Sequence, residues 1–374
     1  FLEQHINRDA AERDEAAQPF SREVLAKTAR LGLIGYSLPI EVGGEGRNLA
    51  EWGWALERIG MLCHDLSFTL ILGLYSAVAE AIYRAGRADL NKRYVEPMIR
   101  GDYLISFAYT ENADAFNFQS TAKQMEDGKY LLNGRKVMVT GGAMADAFMT
   151  YVRDEHDDLK VLIIERDDPG VSVTPVSVMG FRSVGLVALE FKDTVLDADR
   201  LLVAHDGLSH GQNFLNRRRV ILSCAPMGRM HGLIKACVEH VGSTERYGRP
   251  LADMQGVQIK IGQMHIWAET ARTVVYEGLN RLVCNEFDPY WDPFLSMTKY
   301  DVVDKSVRLA QTAIGLVGGA AYTKERPFER NLRDFIGLIP GAGSQNILEA
   351  DLGQYVINQI EQAELFSQFE QQVS

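Results

Sequence analysis

Lys129-Tyr-Leu-Leu-Asn-Gly-Arg-Lys-Val-Met-Val-Thr140 is where the chain changes its period. Apolar residues on either side of an Asn-Gly pair read as a strand, a tight turn and a second strand, because Asn-Gly readily adopts the positive φ angles of a two-residue hairpin. Working outward, Phe148-Met-Thr-Tyr-Val-Arg153, Lys160-Val-Leu-Ile-Ile-Glu165 and Ala188-Leu-Glu-Phe-Lys192 add short strands between turns rich in Asp, Gly and Pro. Residues 105–205 therefore read as a small antiparallel β domain. Residues 1–104 follow a helical period, with Val24, Leu25, Ala29 and Leu31 recurring between a Ser21 cap and a Gly32 stop. Further helical stretches cover about 51–62 and 66–85. Residues 206–374 carry long amphipathic stretches over about 212–245, 254–286 and 294–317, with a break at the prolines of 285–293. Helices, a sheet, then helices again make an α+β layout in three segments.

The 374 residues suffice for two or three domains with a sizeable core. Apolar residues at 46% and charged residues at 24% are ordinary for a globular enzyme. A formal net charge of −11 argues against a nucleic-acid partner, which needs a clustered basic face. The most apolar stretch, 66–81, contains Gly73 and ends at Glu80, so it reads as a buried helix rather than a membrane span. Cys63, Cys224, Cys237 and Cys284 are scattered, without metal-ligand or disulfide spacing, and fit free thiols in a reducing cytoplasm. No metal site is expected. The chain opens at Phe1 already in a helical pattern, which leaves a preceding segment open.

Tyr322-Thr-Lys-Glu-Arg-Pro-Phe-Glu-Arg-Asn-Leu-Arg-Asp334, followed by Pro340-Gly-Ala-Gly-Ser-Gln-Asn-Ile347, resembles the segment that ends flavin-dependent acyl-CoA dehydrogenases. Pro39-Ile-Glu-Val-Gly-Gly44, Phe107-Ala-Tyr-Thr-Glu111, Asn133-Gly-Arg-Lys-Val-Met-Val-Thr140, Met179-Gly-Phe-Arg182 and Tyr247-Gly-Arg-Pro-Leu-Ala-Asp-Met-Gln255 resemble further motifs of that family, in the family's order. The resemblance implies an N-terminal helical domain, a middle β domain and a C-terminal four-helix bundle, assembled as a homodimer or homotetramer. It implies FAD between the β domain and the bundle, a substrate acylated on coenzyme A or a carrier protein, and possible electron transfer to an electron-transferring flavoprotein.

Carried over residue by residue, Tyr109 and Thr110 would face the flavin ring, Met138 would take the place of a flavin-side Trp, and Thr140 would lie near N5. Both threonines also suit an ordinary strand. Arg246, Tyr247, Gly318 and Gly319 would meet the adenosine half of FAD, with Thr244 and Gly315 replacing an Arg and a Gln that usually contact it. Removal of an acyl α-proton needs a base. The two positions where the resemblance would put a Glu are Ala342 and Arg218, and neither residue can accept a proton at working pH. Arg219 matches an arginine at the acyl end of the site, and Arg217 is expected to face solvent. Arg218 keeps two readings: it turns outward or pairs with a neighbouring acid, or it binds an anionic group of the substrate. Asp114, Glu111, Glu349, His210 and His231 are the other acids and bases to weigh. The leading expectation is an FAD-dependent oxidoreductase of acyl thioesters. A flavin-dependent monooxygenase of the same fold, or a non-redox or inactive member, stand as alternatives.

Overall fold

The computed structural model describes residues 1–112 and 117–373, apart from the side chains of 363–373. The helices before the sheet are α1 (Ala10–Glu15), α2 (Arg22–Arg30), α3 (Leu49–Leu62), α4 (Leu66–Arg84), α5 (Ala88–Leu90) and α6 (Glu96–Arg100). Ser21 caps α2 as its sequence suggests, and Asn48 with Glu51 forms a reciprocal capping box on α3. α4 is long and apolar enough to cross a membrane, but 78% of its most apolar window is buried within the protein. The strands are β1 (Ile105–Ala108), β2 (Thr121–Gln124), β3 (Tyr130–Val139), β4 (Ala147–Arg153), β5 (Leu159–Glu165), β6 (Val171–Pro175), β7 (Val187–Leu196) and β8 (Leu201–Val203). They form one sheet in the order β6-β7-β3-β2-β4-β5-β8, with β1 running parallel to β4.

The Asn-Gly reading is corrected. Residues Tyr130–Val139 are one continuous strand, and Asn133-Gly134 is a bulge within it. Asn133 Nδ2 donates to Asp193 Oδ1 at 3.2 Å, and Asp193 N donates to Asn133 Oδ1 at 2.9 Å, so the side chain ties two strands instead of starting a turn. A Cβ at Gly134 would lie 2.3 Å from Ser120 Oγ, which explains the glycine without a turn. The hairpin before β3 closes instead around Asp127-Gly128, where Met125 N donates to Lys129 O at 2.8 Å.

After the sheet come α7 (Gly207–Ser243), the two-residue strands β9 (Glu245–Arg246) and β10 (Arg249–Pro250), α8 (Gln255–Cys284), α9 (Pro293–Val317), α10 (Phe328–Gly337) and α11 (Gln345–Val373). Asp292 caps α9, and Pro293 occupies its first turn, where no amide is needed. α7 packs against α3, α8 and α9. Glycines bring α3 and α7 into backbone contact: a Cβ at Gly60 would lie 2.1 Å from Ala225 O, and one at Gly228 would lie 1.9 Å from Glu57 O. One core runs through both helical segments and one face of the sheet, taking Met149, Tyr151, Val161 and Ile163. The alternate residues Phe148, Val152, Leu162 and Ile164 enter a second core on the other face.

Candidate active site

α4 and α7 form the walls of an apolar cleft. Leu66, Leu70, Phe181, Ile221, Leu222 and Leu338 line it, and among the described residues Arg218 is its one charged lining residue. Arg218 is 6% exposed. Its Nη2 donates to Leu70 O at 3.1 Å, and it makes no ion pair with a described residue. Gly73 leaves room for the guanidinium, since a Cβ there would lie 3.1 Å from Nη1. Burial pulls the Arg218 pKa down to about 10, so the cation persists at neutral pH in a wall that disfavours it. Its neighbour departs from expectation: Arg217 is buried and pairs with Glu80 at 3.2 Å, rather than facing solvent. Successive helical residues point about 100° apart, and here that rotation separates a paired arginine from one without an acid.

Arg219 turns to the loop between α10 and α11. Its Nε donates to Ala342 O at 3.1 Å, and its Nη1 donates to Asn216 Oδ1 and Ser296 Oγ, both at 3.1 Å. From α9, Lys299 Nζ donates to Ile339 O and to Gly343 O, both at 2.9 Å. Burial and the charge of Arg219 lower the Lys299 pKa to about 7. Sequence reasoning passed over this lysine. Its signal was position: Lys299 stands on the buried stripe Leu295, Lys299, Val302, Ser306 and Leu309, where a lysine without a partner should not be.

Tyr109, Thr110, Met138 and Thr140 meet where β1 leaves the sheet and β3 ends. Val137 N donates to Thr110 O at 2.8 Å, which fixes the two segments side by side. Met138 has φ +57° at the second irregularity of β3 and is 49% exposed, while Thr110 is also exposed. The Tyr109 ring turns the other way, between Phe107, Phe118 and Tyr151, against α7 at Gly211. Burial raises its phenol pKa to about 12, against the opposing charge of Arg219. Beneath this rim Lys136 is fully buried and paired with Glu111. Glu111 also accepts from the amides of Gln119 and Ser120, so it is spent on holding its own loop.

Tyr247 and Gly248 form the tip of the β9–β10 hairpin with φ +54° and +75°, and Tyr247 is 96% exposed. Arg246 sits beside it, also exposed. Cβ atoms at Gly315, Gly318 and Gly319 would each meet open space. The remaining candidates lie elsewhere. Glu349 accepts from Tyr300 Oη at 2.5 Å, His210 bonds Tyr151 Oη at 2.8 Å, and His231 lies 3.8 Å from Glu269. Asp114 lies outside the described residues. No group of His, Cys, Asp and Glu suited to a metal occurs among the described residues.

The chain matches the N-terminal, middle and C-terminal domains of acyl-CoA dehydrogenase over residues 1–102, 106–194 and 205–357. An acyl-CoA dehydrogenase of Bacillus subtilis (strain 168) is 29% identical over 343 residues, 87% of each chain. Benzylmalonyl-CoA dehydrogenase of Aromatoleum aromaticum is 27% identical over 364 residues, 95% of each chain. Among solved structures, the prolyl acyl carrier protein oxidase AnaB has the same fold, with a TM-score of 0.90 at 23% identity over 95% of this chain and 96% of that one. Neighbours of this fold carry FAD. The open rim at Thr110 and Met138 and the uncovered glycines at 318–319 leave backbone accessible to such a cofactor. With all three domains matched in order, the chain belongs to the acyl-CoA dehydrogenase family of flavin-dependent oxidoreductases.

Proposed function

We propose that the protein oxidises an acyl thioester, carried on coenzyme A or on a carrier-protein phosphopantetheine arm, whose acyl group bears a negative charge. The observation that carries this reading is Arg218, a buried cation without an acid partner among the described residues, in a cleft that is otherwise apolar. Leaving such a charge uncompensated costs several kcal/mol, on the order of 3–5, and a substrate carboxylate would remove that cost through charge-assisted hydrogen bonds. The similarity to an enzyme named for benzylmalonyl-CoA, an acyl group that includes a carboxylate, points the same way.

FAD supplies the hydride acceptor when bound. Thr110, Met138 and Thr140 would border its ring, and Arg246, Tyr247, Gly318 and Gly319 its adenosine half, closed by a second copy in a homodimer or homotetramer. Electrons would pass to an electron-transferring flavoprotein, and the free thiols suit the cytoplasm. Among the described residues, the lining of the cleft holds no carboxylate. A methyl and a guanidinium accept no proton at working pH, so in this reading Ala342 shapes the site, Arg218 binds, and the acyl α-proton that leaves with the hydride passes to solvent water. A cleft without an acid among its described lining residues also favours a second reading, a flavin-dependent monooxygenase. Rapid reoxidation of the reduced protein by air would select it over a dehydrogenase that hands its electrons to a flavoprotein.

The test is a pair of thioesters that differ in charge, succinyl-CoA and butyryl-CoA, titrated anaerobically against the flavin absorbance. Wild type is expected to bind succinyl-CoA at least about tenfold more tightly, roughly 1.4 kcal/mol, and Arg218→Met to lose that preference with its melting temperature held. Equal affinities in wild type, or a preference unchanged in Arg218→Met, would overturn the assignment of the anion to Arg218.

A further inference from the structure

The cleft follows α7 from Arg218 to Pro226, roughly 12 Å of helix. α4 runs the other way beside it: Leu70 meets Arg218, whereas Glu80 and Ala81 meet Arg217 and His210. Leu66 therefore lies at the Pro226 end, and Arg218 at the end nearer the Arg219–Ala342 contact. The space left between these walls is about 10 Å³, about one water's worth. A longer acyl group must move a wall. The helices resist this, since α7 is already in backbone contact with α3 at Gly60 and Gly228.

One piece of the wall comes from the sheet. Phe181 belongs to the connection between β6 and β7, is 6% exposed, and has φ +52°, a conformation that a bulky side chain rarely adopts. α10 holds it there. Phe181 N donates to Asp334 Oδ1 at 2.6 Å, and Arg333 Nη1 donates to Met179 O at 2.9 Å. A Cβ at Gly180 would lie 2.2 Å from Arg333 O, and one at Gly337 would lie 2.8 Å from the Phe181 ring, so neither the backbone nor the ring can settle back onto α10. Asp334 is 1% exposed, and its Oδ2 finds no donor among the described residues. A carboxyl buried at that cost serves chiefly to fix the Phe181 amide. The charge of Asp65, which caps α4 just before Leu66, acts on Asp334, and this sets Phe181 at the Leu66 end of the cleft, away from Arg218.

We propose that Phe181 is the specificity-determining end wall of the cleft, restricting the acyl group to a short chain, and that Asp334 is its positioning residue. This rests on the reading that the acyl group enters the cleft, and adds a limit on size to the preference for charge. A carboxylate at Arg218 leaves room beyond it for about one methyl group.

The experiment titrates butyryl-CoA and octanoyl-CoA anaerobically against the flavin absorbance of the FAD-loaded protein. Wild type is expected to bind octanoyl-CoA at least about tenfold more weakly than butyryl-CoA. Phe181→Gly removes the ring and suits the positive φ, and should bring the two affinities within about twofold. Asp334→Ala should lose the discrimination, whereas Asp334→Asn should keep it, because its amide oxygen still accepts from Phe181 N. Octanoyl-CoA binding as tightly as butyryl-CoA in wild type, or discrimination surviving in Phe181→Gly, would overturn the end wall. Equal behaviour of Asp334→Ala and Asp334→Asn would overturn the positioning role. Should Phe181→Gly fail to load FAD, Phe181→Leu takes its place: at least about a threefold relative gain for octanoyl-CoA supports the proposal, and the wild-type ratio overturns it. Succinyl-CoA, titrated alongside in wild type, separates the two claims. A chain-length limit without a preference for succinyl-CoA removes the charge reading and leaves Phe181 in place, and no flavin perturbation by any of the three thioesters overturns both.

Discussion

Arg218 and Arg219 are consecutive on one helix, equally buried, and held by opposite means. Arg219 spends its donors on Ala342 O, Asn216 and Ser296, with Lys299 completing the corner from α9. Arg218 reaches a cleft of aliphatic side chains and finds one carbonyl. Burial lowers both to about 10, so the difference is not in how dry the two sites are. It lies in what surrounds the charge. A cation served by three oxygens belongs to the scaffold, whereas a cation served by one has donors left for a ligand. Similar burial thus separates into structure and function once the donors are counted.

Three changes would break or sharpen that contrast. The largest effect is expected from Arg219→Met, which strands Ala342 O and the side chains of Asn216 and Ser296; chemical denaturation should show a loss of about 3 kcal/mol. Arg218→Met removes a cation with few partners and should cost far less, and a larger loss there than at Arg219 would reverse the comparison. Next is Ala342→Glu. The position already has positive φ, so the backbone strain is present before the substitution, and a carboxylate there would stand beside Arg219. Anaerobic bleaching of the flavin by butyryl-CoA should rise about 100-fold, the usual yield of a placed general base; no rise, with FAD retained, would mean that the loop does not face the acyl group.

The smallest effect is the pH dependence of stability. Between about 7 and the ordinary lysine value of 10.5, Lys299 carries a proton when unfolded and none when folded. Unfolding then takes up a proton, so stability contributed by this group increases as pH rises through that window and is flat below it. Asp334 acts in the opposite sense: burial raises its carboxyl to about 8, so its contribution falls as pH rises through the range below that. Subtracting the Lys299→Met denaturation curve from wild type isolates the lysine. A difference that does not grow between pH 7 and 9 would assign Lys299 an ordinary charged state.

Much of the layout was legible because it rests on period. The three long helices after the sheet begin and end within a few residues of their apolar patterns, and β4, β5 and β7 follow their runs of β-branched and aromatic residues. The Asn133-Gly134 turn failed because a dipeptide signal cannot tell a hairpin from a bulge whose Asn bonds across the sheet to Asp193, sixty residues on. Arg217 was misplaced for a related reason. Helical periodicity showed that it points away from Arg219, but its partner Glu80 comes from another helix. The cleft could be read only in part. Arg218 and Ala342 stood out by their positions in motifs, whereas Lys299 depends on two carbonyl directions in a loop, which composition does not encode.

The contact of Gly60 with Ala225 and of Gly228 with Glu57 has a consequence for how the chain is made. α3 and α7 meet in space although the whole sheet lies between them in sequence, so α3 and α4 leave the ribosome long before the helix that covers them. Until α7 is synthesised, α3 and α4 lack the helix they pack against in the finished core. The nascent N-terminal segment is therefore the stage most exposed to aggregation and the natural client of a chaperone. A fragment that stops before α7 should stay in that state.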